Sequence, residues 1–242
     1  MSKNGRIVYG SIIILTISDW KLIAFGAAIR YLHKCQIPNL TTYGPDEDLY
    51  TKFKGVIGEY LVFLVSGAKI NLSYINGNDG YVDLILAKSL TSQVKFTNWP
   101  WGHFVFDCCL DPVFDKNKYL TTDYYILCTQ GRSDDEMIIH GAATKDEVVQ
   151  DPKAIFYGSL GTYGNRHQMN QYMFKDISRI PGFLPQRIVQ PHGSIIIPQP
   201  LTYEPSYPSL FKQHFDAQVP ANYTLPPNIT ITQLQQLKDH LP

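Results

Sequence analysis

The chain has 242 residues, enough for one sizeable core, and its 44% apolar and 17% charged content excludes an intrinsically disordered protein. Lysine plus arginine equals aspartate plus glutamate at 21 each, so the formal net charge is zero. That argues against a protein that coats nucleic acid through overall basicity, while leaving room for a local basic cleft or a bound cation.

At the N-terminus Lys3 and Arg6 precede an apolar run, Ile7 to Ile17. No small-residue cleavage site follows, and Asp19 and Lys21 interrupt the stretch. Its uninterrupted part falls short of the roughly 20 residues that a bilayer-spanning helix needs. The expectation is a buried strand, Ser11 to Thr16, in a cytoplasmic protein with no membrane contact.

Ser18-Asp19 then offers a helix cap, and apolar residues on a helical repeat (Ile23, Ala27, Ala28, Tyr31) predict a helix from Trp20 to about Cys35, ended by Pro38. After a turn-rich segment, Asn39 to Asp48, a second helix is predicted from about Leu49 to Ser66. Phe53, Val56, Ile57, Tyr60, Leu61 and Leu64 form its stripe, and Gly67 stops it. Strands are predicted at Asn71 to Ile75, Tyr81 to Leu86, Ser92 to Thr97, Phe104 to Cys109 and, centrally, Tyr124 to Thr129. Asn76 to Gly80 reads as a turn and Glu136 to His140 as an edge strand. Thr144 with Glu147 three residues on predicts a capped helix to Gln150. Gly158, Gly161 and Gly164 read as a flexible loop rather than a dinucleotide fingerprint. The pattern is that of an α/β fold, a mixed β-sheet flanked by helices.

Residues 1–180 carry this pattern, and 181–242 read as a proline-rich C-terminal extension. It holds 11 of the 16 prolines, so extended or wrapping chain is expected there, with a short helix from about Thr232. Cys35, the pair Cys108-Cys109, and Cys128 have no metal-site spacing and read as small core residues in a reducing compartment.

Two short segments carry chemistry: Tyr81-Val-Asp83-Leu-Ile-Leu and Ser92-Gln93-Val-Lys95-Phe. Side chains alternate along a strand, so Gln93 and Lys95 share one face while Val94 and Phe96 take the other. If the two strands are neighbours, Asp83 meets Gln93 and Lys95, bringing together an acid, an oxygen ligand and a lysine. A hard cation asks for such oxygens. Glu59, at the edge of the second helix's apolar stripe, is expected beside the sheet, with Gly58 allowing close approach.

Gly58-Glu59 on a helix, Asp83 at a strand start, and Gln93-x-Lys95 on the next strand together resemble the restriction-endonuclease-like, PD-(D/E)XK nuclease superfamily. The resemblance covers about Leu49 to Cys109, with Thr129 as its farthest reach. It implies a catalytic set of Glu59, Asp83, Gln93 and Lys95, with Mg2+ or Mn2+ held by Asp83, Gln93, the Val94 carbonyl and Glu59. It further implies hydrolysis of DNA phosphodiester bonds, with Lys95 orienting or activating the attacking water, in an enzyme of restriction type working as a homodimer. The sequence departs from the family in having Val before Asp83 instead of Pro, and an uncharged Gln93 where Asp or Glu is commoner. A junction-resolving or repair nuclease is a second enzymatic expectation, and a non-catalytic nuclease-like module that binds nucleic acid or protein is the alternative.

Arg30, Lys52 and Lys54 are candidate phosphate contacts, and Trp99 and Trp101 candidate base contacts, with packing as the ordinary alternative. His103 is an auxiliary base candidate, Asp107 an alternative acid and Asp79 an alternative ligand. Asp134-Asp135-Glu136 reads as a charged loop tip, and Asn165 to Gln168 as a further stretch able to touch DNA.

Overall fold

The structure, a computed structural model, describes residues 5–36, 45–70, 82–106, 113–160, 164–197 and 207–240. In chain order it runs β1 (Arg6–Ile14), α1 (Ile17–Cys35), α2 (Pro45–Ser66), β2 (Lys69–Ile70), β3 (Leu84–Ile85), β4 (Thr91–Thr97), β5 (Phe104–Phe106) and a one-turn α3 (Lys116–Tyr119). Then come β6 (Tyr124–Gln130), β7 (Glu136–Thr144), α4 (Lys145–Gln150), β8 (Ile155–Ser159), β9 (Asn165–Met169), β10 (Gln190–Ile197), α5 (Tyr207–His214) and α6 (Ile231–His240). A seven-stranded mixed sheet has the order β10-β1-β7-β6-β4-β3-β2. Its pairs are antiparallel except β4 with β6, whose connection through β5 and α3 supplies the crossover a parallel pair requires. A smaller sheet has the order β5-β9-β8.

Alternation along the strands divides the core into two layers. Ile13, Ile126, Cys128 and Ile139 point to one face, where Ile23, Ala27, Phe53, Ile57 and Leu61 of the helices cover them. Tyr125, Leu127 and Ala143 point to the other, packing with Phe104, Phe106, Met169 and Phe174. Farther along that second face, Val8, Ile12, Ile138, Ile195 and Ile197 form a separate cluster. Among the described residues no helix is long and apolar enough to cross a membrane.

The first strand runs Arg6–Ile14 rather than Ser11 to Thr16, and the cap of α1 is Thr16 rather than Ser18. Thr16 accepts from the Asp19 amide (3.3 Å), while the Asp19 carboxylate takes the Thr16 amide (2.8 Å) in a capping box. Asp19 thus belongs to the first turn, where it also accepts from Tyr60 Oη at 3.0 Å. The second helix begins at Pro45, a residue the first turn tolerates. The Thr144–Glu147 capping box forms as expected. Glu147 is drawn into a wider network: burial alone would raise its carboxyl, but Lys175 and Arg179, each 2.8 Å away, outweigh it and hold the group down at about 2.

Three expectations are corrected. The segment Glu136 to His140 is not an edge strand, because β7 continues to Thr144 and lies between β1 and β6. The continuation runs through Gly141-Ala142-Ala143, small residues with little strand preference of their own. Gly141 adopts φ +129°, and a Cβ there would collide with the Lys175 carbonyl, which accepts the Ala142 amide at 3.0 Å. Gly141→Ala is therefore expected to lower unfolding stability by roughly 1–3 kcal/mol from the backbone conformation alone, read by urea denaturation. Gly158 lies within β8, which pairs with β9, and so is a strand residue rather than part of a flexible loop; Gly161 falls outside the described residues. Cys128 is buried as expected, burial pushing its thiol up, but Cys35 is exposed.

The described residues beyond 181 contribute to the same core. β10 pairs with β1 (Ile7↔Ile196, Val8↔Ile195) at the sheet edge, the place where a strand accepts a proline such as Pro191. Tyr207 and Phe211 of α5 and Leu234 of α6 are buried in the helix-side core. The closing helix begins at Ile231, one residue from its expected start. The Asn71 to Ile75 and Asn76 to Gly80 expectations, Asp79, Asp107 and Cys108-Cys109 lie outside the described residues.

Candidate functional site

β3 and β4 are neighbours, with Leu84 opposite Ser92 and Ile85 opposite Thr91. Asp83 stands immediately before β3. Its amide donates to the Ser92 carbonyl (2.9 Å), and its carboxylate Oδ2 accepts from the Val94 amide (2.6 Å). The side chain therefore takes over a backbone bond that the short strand β3 does not reach to make. A residue's amide and carbonyl leave a strand on the same side, so the Val94 carbonyl also opens toward the Asp83 edge.

The face of β4 follows from its partners. Val94 and Phe96 touch α2, for a Cβ on Gly58 would press against both. Gln93 and Lys95 consequently point to the opposite face. Across β6 their register partners are Tyr125 and Leu127, both members of the second-face core. Gln93 is buried, and among the described residues its Oε1 has no hydrogen-bond donor. A buried amide oxygen left in this state carries a desolvation penalty, which makes it a site ready to accept. Lys95 is half-buried. Asp83, Gln93, Val94 and Lys95 thus stand at the β3–β4 edge, whose strands are the neighbours that the sequence predicted.

Glu59 is not gathered with them. Adjacent helical residues lie about 100° apart, and here Gly58 takes the sheet side while Glu59 turns toward α1. Both its oxygens accept from the Arg30 guanidinium, with the side chains only 3% and 4% exposed. Arg30 is therefore a buried helix–helix partner and not a phosphate contact. Lys54 sits 5.6 Å from the Tyr50 ring centroid, with burial lowering its ammonium. Lys52 is half-buried. In the β9 stretch, His167 and Gln168 are buried, so the proposed contact run presents chiefly Asn165 and Arg166. Asp134 and Asp135 are exposed at the β6–β7 turn, where Asp135 accepts from the Trp20 indole nitrogen at 2.6 Å.

Trp99 and Trp101 follow β4 directly. Their ring centroids are 5.7 Å apart, and the Arg6 guanidinium lies 5.1 Å from the Trp101 centroid. His103 packs edge-on to Phe156 at 5.2 Å, and burial first, with Arg6 second, lowers its imidazole.

Sequence reasoning missed a buried polar pair on the Lys95 face. Thr129 lies opposite Thr97, and its Oγ1 is 2.9 Å from Nε2 of His140. The signal was a histidine inside the apolar run Met137-Ile-Ile-His140. Burial holds this imidazole at about 4, against a smaller upward push from a hydrogen bond to the Tyr9 backbone. Between its ordinary 6.5 and about 4 the unfolded chain binds a proton that the folded chain refuses, so stability is full above 6.5 and falls as pH drops through this window. The loss is on the order of 3 kcal/mol. Thermal unfolding at pH 7 and pH 4.5 reads it, and His140→Gln is expected to flatten the slope.

Among the described residues no three His, Cys, Asp or Glu side chains converge as a metal cluster. Compared with family models, curated proteins and solved structures, the chain gives no match.

Proposed function

We propose that the protein is a divalent-metal-dependent endodeoxyribonuclease with a restriction-endonuclease-like core. The observation that carries this reading is the meeting of Asp83, Gln93, the Val94 carbonyl and Lys95 at one strand edge, with an accepting Gln93 oxygen that has no donor among the described residues. The element order adds support: a helix, an antiparallel β2–β3–β4 run, and β6 parallel to β4 belong to a mixed sheet flanked by helices, the class of fold that the resemblance implies.

Asp83, Gln93 and the Val94 carbonyl are oxygen donors of the kind Mg2+ or Mn2+ takes. When bound, such an ion supplies Lewis-acid polarisation of a phosphoryl oxygen and a more acidic water. Lys95, two residues from Gln93 on the same face, places a fixed positive charge where negative charge grows on the attacked phosphate. Glu59 takes no part in this set. A homodimer, with one site per DNA strand, is the assembly that restriction-type cleavage calls for.

The test is incubation of the purified chain with supercoiled, linear and branched DNA, each with and without Mg2+ or Mn2+. Discrete linear fragments are expected. Cutting confined to branched DNA would move the reading to junction resolution. No cleavage with either ion would overturn it in favour of a nuclease-like binding module, the reading that the uncharged Gln93 favours.

A further inference from the structure

We infer that the Trp99–Trp101 turn is a stacking ledge for unpaired nucleobases, so that the adjoining site takes hold of DNA at bases opened out of the duplex, in a frayed or single-stranded stretch, before it cuts. The inference rests on the nucleic-acid reading above and names the form of substrate that reading leaves open.

The ledge lies on the same side of the sheet as Gln93 and Lys95. Trp101 packs on the cluster of Val8, Ile12, Ile138, Ile195 and Ile197, whose residues occupy the face away from the helices. Trp99 comes four residues after Lys95, so a strand bound at Lys95 and running along β4 meets the rings next. Trp99 is 43% exposed, unusual for the largest side chain, while Trp101 beneath it is anchored. Arg6 lies over the Trp101 ring and brings a cation to the ledge for the phosphates flanking a stacked base.

The turn is held in place before any ligand arrives. The Gly102 amide closes on the Trp99 carbonyl (2.8 Å), and the Gln171 side-chain amide donates to the carbonyls of Gly102 (2.7 Å) and Pro100 (3.3 Å). Such bracing keeps the indole from losing freedom on binding. Indole faces stack on any unpaired base, whatever its identity, whereas bases inside a duplex already stack on each other. An exposed ring four residues along the chain from Lys95 thus selects strand state and not sequence.

Tryptophan fluorescence tests this without cleavage, in EDTA, on the full chain. The three tryptophans are Trp20, 1% exposed and silent to ligand, and the ledge pair. Oligothymidylate is expected to quench the emission saturably, and a blunt duplex of equal length to quench it much less. Trp99→Leu should lose most of the quench and bind oligothymidylate at least about fivefold more weakly by anisotropy, with an unchanged melting temperature. Trp99→Phe should recover part of the affinity. Equal binding by wild type and Trp99→Leu, or equal quenching by duplex and single strand, would overturn the ledge. Metal-dependent cleavage without quenching sinks the ledge alone, and quenching without cleavage sinks the nuclease reading alone.

Discussion

Lys95→Met is expected to lower magnesium-dependent DNA cleavage by about 100- to 1,000-fold, the usual cost of removing one fixed transition-state stabiliser. Methionine keeps the length and apolar stem of lysine, so the half-buried position on β4 stays filled and the melting temperature should hold. Asp83→Asn is the companion variant. Its amide oxygen can still accept the Val94 amide, preserving the bond that extends the β3–β4 edge, while the charge that a cation needs is gone. Asp83→Ala confounds these two roles, since it removes the backbone bond as well. Cleavage by Lys95→Met at the wild-type rate would remove Lys95 from the mechanism.

Much of this site was legible because strand alternation is a rigid rule. Once Val94 and Phe96 are assigned to the apolar layer, Gln93 and Lys95 have nowhere to go but the other face. Neighbouring of β3 and β4 followed from their short separation in the chain. What alternation could not supply was the Asp83–Val94 backbone bond, because the sequence does not reveal where a short strand stops pairing. Helical positions were less determined. Glu59 and Gly58 differ by one step and face different partners, and an apolar stripe wide enough to touch both sheet and helix does not say which of its edges meets which. His140 was hidden for another reason: its strand is completed by Gly141-Ala142-Ala143, whose pairing depends on Lys175, distant in sequence. The prolines beyond 181 did not reveal the edge strand β10 or the helix α5, because a sheet edge admits proline and the first turn of a helix tolerates it.

Glu59→Ala is expected to lower unfolding stability by about 3–5 kcal/mol, since it leaves the Arg30 guanidinium buried between α1 and α2 without its carboxylate. Arg30→Ala should cost a similar amount for the mirror reason. The loss belongs to the orphaned charge and not to the pair, so the double variant Arg30→Met/Glu59→Leu is expected to recover most of it, as apolar side chains of comparable volume often do in place of a buried pair. Urea denaturation of the four proteins forms a double-mutant cycle that reads the coupling directly. The double variant also separates two roles for Glu59. A helical acid acting on the metal would leave it folded and inactive. An acid whose work is holding α2 against α1 would leave it folded and cleaving at the wild-type rate. The bidentate Arg30 contact, with the carboxylate turned from the β4 edge, predicts the second outcome.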